Sequence, residues 1–94
     1  MASTYNGMSA GEALLLVQDL MRAAFNIPRE PRSEAYQLGA RELLKHRAAG
    51  VTVVCPFAAG TASADAFYAG SDEGRVIWTK YLATRAQAMA AEAR

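Results

Sequence analysis

Cys55 and His46 have the widest chemical repertoire of any side chains in this chain, and each residue type occurs once. A thiolate becomes a nucleophile when a base or an electropositive setting lowers its pKa. Here the thiol ends an apolar, β-branched run, Val51-Thr52-Val53-Val54, and precedes Pro56. That is the setting of a cysteine that packs. His46 lies on a different segment, and nothing in the pattern pairs it with Cys55. Zinc sites need three or four Cys, His or acidic ligands, so one Cys and one His predict no metal, and no cofactor is expected. A lone cysteine also excludes an intramolecular disulfide, so nothing asks for an oxidising compartment.

The remaining polar groups suggest acid–base, anion or nucleic-acid chemistry, and each has a simpler reading. Asp65, Asp72 and Glu73 fall on an alanine-rich segment and are expected to complement a helix N-terminus and to solvate a face. Gly60-Thr61 stands at a helix start, where backbone N–H groups hold anions, but the Gly-Lys-Ser/Thr continuation of a phosphate loop is missing. Arg29, Arg32, Arg41, Lys45 and Arg47 make the middle of the chain basic. Glu30, Glu34 and Glu42 interleave with them, which predicts a solvated surface of mixed charge.

The whole-chain balance agrees. Ten basic and nine acidic residues give a net charge of +1, and neither half departs from near-neutrality. Phosphate-neutralising proteins show a basic excess, and a nucleic-acid mimic would need an acidic one. With 94 residues, 52% of them hydrophobic and about a fifth alanine, the chain predicts one helix-rich domain over residues 1–94. No signal peptide is visible and Ala13–Val17 is too short to span a bilayer, so a cytoplasmic protein with no membrane partner is expected.

The elements follow from punctuation. Residues 1–8 read as a loose tail. Ser9 and Glu12 have capping-box spacing, and a first helix is predicted from Ala10 to Phe25, burying Ala13, Leu16, Val17, Leu20 and Ala24. Leu15 lies at the edge of its polar face. Pro28 and Pro31 set an extended connector. Ser33 caps a second helix, Glu34 to Ala49, which stops at Gly50. Val51–Cys55 has no partner strand and is read as an extended segment over the helices. Thr61 or Ser63 caps a third helix, which runs from Ala62 to near Ala90 or breaks near Gly70–Gly74. Residues 83–94 are expected as an exposed helix end. The predicted core comprises Tyr36, Leu43, Phe57, Phe67, Ile77 and Trp78.

One set of motifs goes further. Ala35-Tyr36-Gln37-Leu38-Gly39, Ala49-Gly50, Cys55-Pro56-Phe57 and Phe67-Tyr68-Ala69-Gly70, with Trp78 beyond, resemble the ribosome modulation factor family. Its members place a glycine in a first helix, a helix-ending glycine, a Cys-Pro-aromatic connector and a helix opening with aromatic-x-x-Gly. The resemblance covers Ala35 to Trp78. It implies a helical hairpin whose open end the Cys-Pro-Phe connector plugs, with Gly39 and Gly70 permitting close contact. It also implies ribosome or ribosomal-RNA binding, whereas the family is strongly basic and this chain is nearly neutral.

The expected fold is therefore all-α: a three-helix small domain with a helical hairpin and a short extended Cys-Pro-Phe connector. The expected function is non-enzymatic binding, with no small-molecule substrate. The first version is a phage- or mobile-element-type inhibitor that docks on a host protein complex, such as a defence nuclease complex (anti-CRISPR-like). The alternative is a ribosome-modulation-factor-like protein on the ribosome. In either case the expected partner-binding residues are Leu15, Arg29, Arg32, Leu38, Arg41, Lys45 and Arg47.

Overall fold

The computed structural model describes residues 5–92, and three helices account for most of them: α1 (Ala10–Phe25), α2 (Glu34–Ala49) and α3 (Ala62–Glu92). No strand occurs among the described residues. The caps behave as the sequence predicts. Ser9 accepts from the Glu12 N–H while Glu12 reaches back to the Ser9 N–H. Ser33 accepts from Tyr36 N–H and Thr61 from Ala64 N–H. Gly50 closes α2 in the left-handed region at φ 70°, a conformation that costs a glycine nothing.

α2 is the central helix. Ala13, Val17 and Met21 of α1 pack with Ala40, Leu44 and Ala48 of α2 and Trp78 of α3. On its other flank α2 meets α3 backbone to backbone. A Cβ on Gly39 would fall on the Phe67 carbonyl, one on Gly70 would fall on the Tyr36 carbonyl, and one on Gly74 would sit 2.9 Å from the Ala40 carbonyl oxygen. The Ser71 hydroxyl, buried in this seam, lies 3.2 Å from the Gly39 carbonyl and 3.1 Å from that of Phe67. Its single proton is thus shared between the two helices. Glycines cost helix propensity in isolation, but here they admit a contact no larger residue allows. That contact is why α3 runs unbroken through Gly70 and Gly74.

The residue numbers rise together across this seam: Tyr36 meets Gly70, Ala40 meets Gly74, and Leu44 lies in one cluster with Trp78. α2 and α3 therefore run parallel, and the expected hairpin is corrected in its direction. The linker from Gly50 to Thr61 explains how. α2 is about 24 Å long, and a dozen residues in extended form return that distance with length to spare. Along the return Val53, Cys55 and Phe57 are half-buried while Thr52, Val54 and Pro56 are exposed, the alternation of an extended segment lying on a surface. Phe57 ends beside the N-termini of both α2 and α3, among Ala35, Ala62 and Ala66, with its ring 6.3 Å from that of Phe67.

Burial differs from expectation in instructive places. Leu43, Phe67 and Trp78 are buried as predicted, but Tyr36, Phe57 and Ile77 are half-buried. Leu44 is fully buried and Met21 nearly so, because α2 has neighbours on two sides and its buried arc is wider than one stripe. In α1, Leu16, Leu20 and Ala24 are only half-buried. The expected loose tail is also corrected in part. Residues 1–4 lie outside the described residues. Tyr5, however, packs edge-on against Trp78 at 5.1 Å, and Met8 joins the core margin. Beyond Tyr81, α3 is exposed to Glu92 except for half-buried Arg85, whose guanidinium lies over the Tyr5 ring; the rest of the expected exposed end, residues 93–94, falls outside the described residues.

Candidate binding surfaces

The expected partner-binding residues do not converge on one patch. Arg29 is committed to the fold. Its guanidinium makes a two-pronged pair with the Glu73 carboxylate at 2.8 and 3.1 Å, donates to the Ala24 carbonyl, and lies over the Phe25 ring. Tyr36 donates to the same carboxylate at 2.7 Å. This tether joins the proline connector to α3, and it reassigns Glu73, which sequence placed among solvating acids. Three charge-assisted bonds hold the Glu73 carboxyl below the usual carboxylate range, with the Arg29 bond the largest cause and burial opposing it. Burial, then the Glu73 contact, pushes the Tyr36 phenol up. The hydrogen bonds that Arg29 donates to Glu73 raise its own pKa.

Arg32 stacks over the Tyr36 ring at 4.9 Å. Lys45 pairs with Glu42 at 3.3 Å. Leu38, Arg41 and Lys45 share one face of α2, at positions i, i+3 and i+7, with Arg41 exposed and Leu38 and Lys45 half-buried. Leu38 and Arg41 line a shallow depression there with Glu34 and Gln37. Arg41 also borders a second depression shared with α1, where Gln18, Arg22, Asn26 and Gln37 surround Met21 and Phe25. Leu15 projects from α1, 61% exposed, on the side away from Ala13 and Val17. Arg47 is exposed in the last turn of α2.

The residues singled out for chemistry have structural partners. His46 Nδ1–H donates to the Val51 carbonyl at 2.9 Å, fastening the start of the return segment. Cys55 Sγ contacts the Phe57 carbonyl at 3.7 Å. The neighbouring Cys55 thiol raises the Tyr68 phenol above its ordinary range. Asp72 pairs with Arg75, and Asp65 sits in the first turn of α3. Among the described residues no three His, Cys, Asp or Glu side chains are placed to hold a metal ion, and no helix is long and apolar enough to cross a membrane.

Sequence reasoning missed an open concavity between α1 and α3. α1 and α3 both lean on α2 but diverge from each other, leaving an open groove of about 820 Å³. Leu20, Ala24 and Ile27 form one wall, Val76, Ile77 and Tyr81 the other, and the Arg29–Glu73–Tyr36 tether closes one end. Ile27 and Val76 are 51% and 52% exposed. The available signal was Val76, a β-branched residue on the otherwise polar side of α3, and Ile27, an apolar residue stranded just past the end of α1. No protein family, curated protein or solved structure matches the chain.

Proposed function

We propose that the chain is a non-enzymatic binding protein that docks on a bacterial protein complex, as a phage- or mobile-element-type inhibitor of a host machine does. The observation that carries this reading is the fate of the cations. Of the five in the middle of the chain, Arg29 and Lys45 are paired with carboxylates and Arg32 lies on an aromatic ring. Among the described residues Arg41 and Arg47 meet no carboxylate or ring, and two such cations are too few for a surface that gains its affinity by neutralising phosphates. One face of α2 instead sets half-buried, apolar Leu38 beside exposed Arg41 in a shallow depression, the pairing of an anchor with a charge that concentrates binding energy in protein interfaces.

The second reading, a ribosome-modulation-factor-like protein, rests on the sequence resemblance. It is favoured by one observation: Gly39, Gly70, Phe57 and Phe67, four residues of the shared motifs, all lie at or beside the α2–α3 contact. One experiment separates the two. Tagged protein is used to capture partners from bacterial lysate with and without RNase, with Leu38→Asp and Arg41→Glu variants as controls. The first reading expects capture of defined proteins that survives RNase and is lost in both variants. Retention of ribosomes that RNase abolishes, with binding that falls steeply with salt, would install the second.

A further inference from the structure

We infer that the groove between α1 and α3 is a self-association site, filled by the C-terminal part of α3 from a second copy of this chain. This inference is independent of the docking face on α2.

The groove wall on α3 and the exposed end of α3 belong to one helical face. Ile77, Lys80 and Thr84 line the groove at spacings of three and four. The same spacing continues the face as Ala88 and Ala91, both exposed and beyond the reach of α2. The helix thus carries a hollow at one end of a face and a ridge of small side chains at the other. A twofold axis beside Thr84 lays two α3 helices antiparallel and brings each ridge into the other copy's hollow. Ala88 then lies opposite Lys80 and Ala91 opposite Ile77. Such an interface is isologous and closed, with both surfaces supplied by every copy.

Charge and area agree with that occupant. From Val76 to Ala91 this face bears one charged group, Lys80, so two copies meet without juxtaposed like charges. Gln87, on the same flank, offers Lys80 a carbonyl acceptor across the axis. The chain exposes 6256 Å², whereas a monomer of its mass exposes about 5,300 Å². The excess, about 1,000 Å², is comparable to the roughly 800 Å² that each partner buries in a standard interface. The radius of gyration points the same way, 14.3 Å against about 12 Å for a compact chain of this length.

The test uses the full chain. Sedimentation velocity across a concentration series is expected to show reversible passage from the 10.1 kDa chain to a species of twice that mass. Ala88→Lys sets a second ammonium opposite Lys80 of the other copy, on the ridge outside the folded body. It is expected to abolish the heavier species while leaving helicity unchanged. In a Cys55→Ser background, a short bis-maleimide is expected to cross-link Thr84→Cys into dimers. It should not cross-link Thr79→Cys, which faces the other side of the helix. A chain that stays monomeric throughout overturns the proposal and leaves the groove to a foreign helix. A dimer that survives Ala88→Lys, or that cross-links through position 79 rather than 84, also overturns it by placing the contact elsewhere.

Discussion

Towards α2, α3 presents Gly70, Ser71 and Gly74, and the two backbones touch; towards α1 it presents Val76, Ile77 and Tyr81, and a groove stays open. The two edges belong to one helix and differ by which side chains stand on them. Where side chains are absent, helix axes approach until carbonyls limit them, and a buried hydroxyl can bridge the pair. Where branched and aromatic side chains stand on both walls and the central helix holds the walls apart, packing cannot close. One edge is finished within the chain and the other is not, so stability should concentrate in the first and spare capacity for contact in the second.

The largest effect should come from the finished edge. Phe67 is fully buried at the meeting of α2, α3 and the return segment. Phe67→Ala is expected to cost about 3–5 kcal/mol, most of the stability of a domain this small. Phe57→Ala, at a half-buried ring, should cost about 1–2 kcal/mol by its smaller transfer from water. Thermal or urea unfolding checks both, and equal losses would sink the ranking.

Gly39→Ala and Gly70→Ala come next. At an open helical site alanine stabilises by about 0.4–1 kcal/mol. Here each methyl meets a backbone carbonyl that cannot rotate away, so destabilisation of about 1–3 kcal/mol is expected. Gly74→Ala meets looser neighbours and should lose less. A raised melting temperature for Gly39→Ala or Gly70→Ala would contradict the backbone contact.

The tether gives a smaller, pH-dependent effect. Because the folded protein holds Glu73 below the ordinary carboxylate range, its contribution is present above that range. It is lost as pH falls through the folded pKa. Glu73→Gln should flatten the fall in melting temperature on the acid side, and Tyr36→Phe should cost about 1 kcal/mol near neutrality. An unchanged acid limb in Glu73→Gln would show that other carboxylates govern it.

The smallest stability effect should come from the open edge. Val76→Ser, on a half-exposed wall, should stay within about 0.5 kcal/mol of the parent while weakening any contact made through the groove. If it unfolds the chain, the groove wall is core and the contrast between the two edges fails.

Much of this was legible in the residues. The capping signals Ser9, Glu12, Ser33 and Gly50 placed the bounds of α1 and α2, since caps are local chemistry between a side chain and the nearest free N–H or C=O. Gly39 and Gly70 announced a close approach because a helix does not carry glycine at an unconstrained site without loss. The candidate site was far less legible. Seven residues were singled out, and the structure gathers Leu38, Arg41 and Lys45 on one face, ties Arg29 into the tether, lays Arg32 over Tyr36 and leaves Leu15 and Arg47 apart. Charge type can be read from sequence, but a cation's partner forty residues away cannot.

The sequence by itself determined the helices, their caps, the extended return and the near-neutral surface, all set by propensities and interactions within a few residues. Only the tertiary structure decided that α2 and α3 run parallel, that Glu73 is a half-buried anchor, and that α1 and α3 diverge around a groove. Helix direction is fixed by which long-range contacts can be satisfied together. A linker of a dozen residues is compatible with either direction. The register of Tyr36 beside Gly70, Ala40 beside Gly74 and Leu44 with Trp78 chooses one.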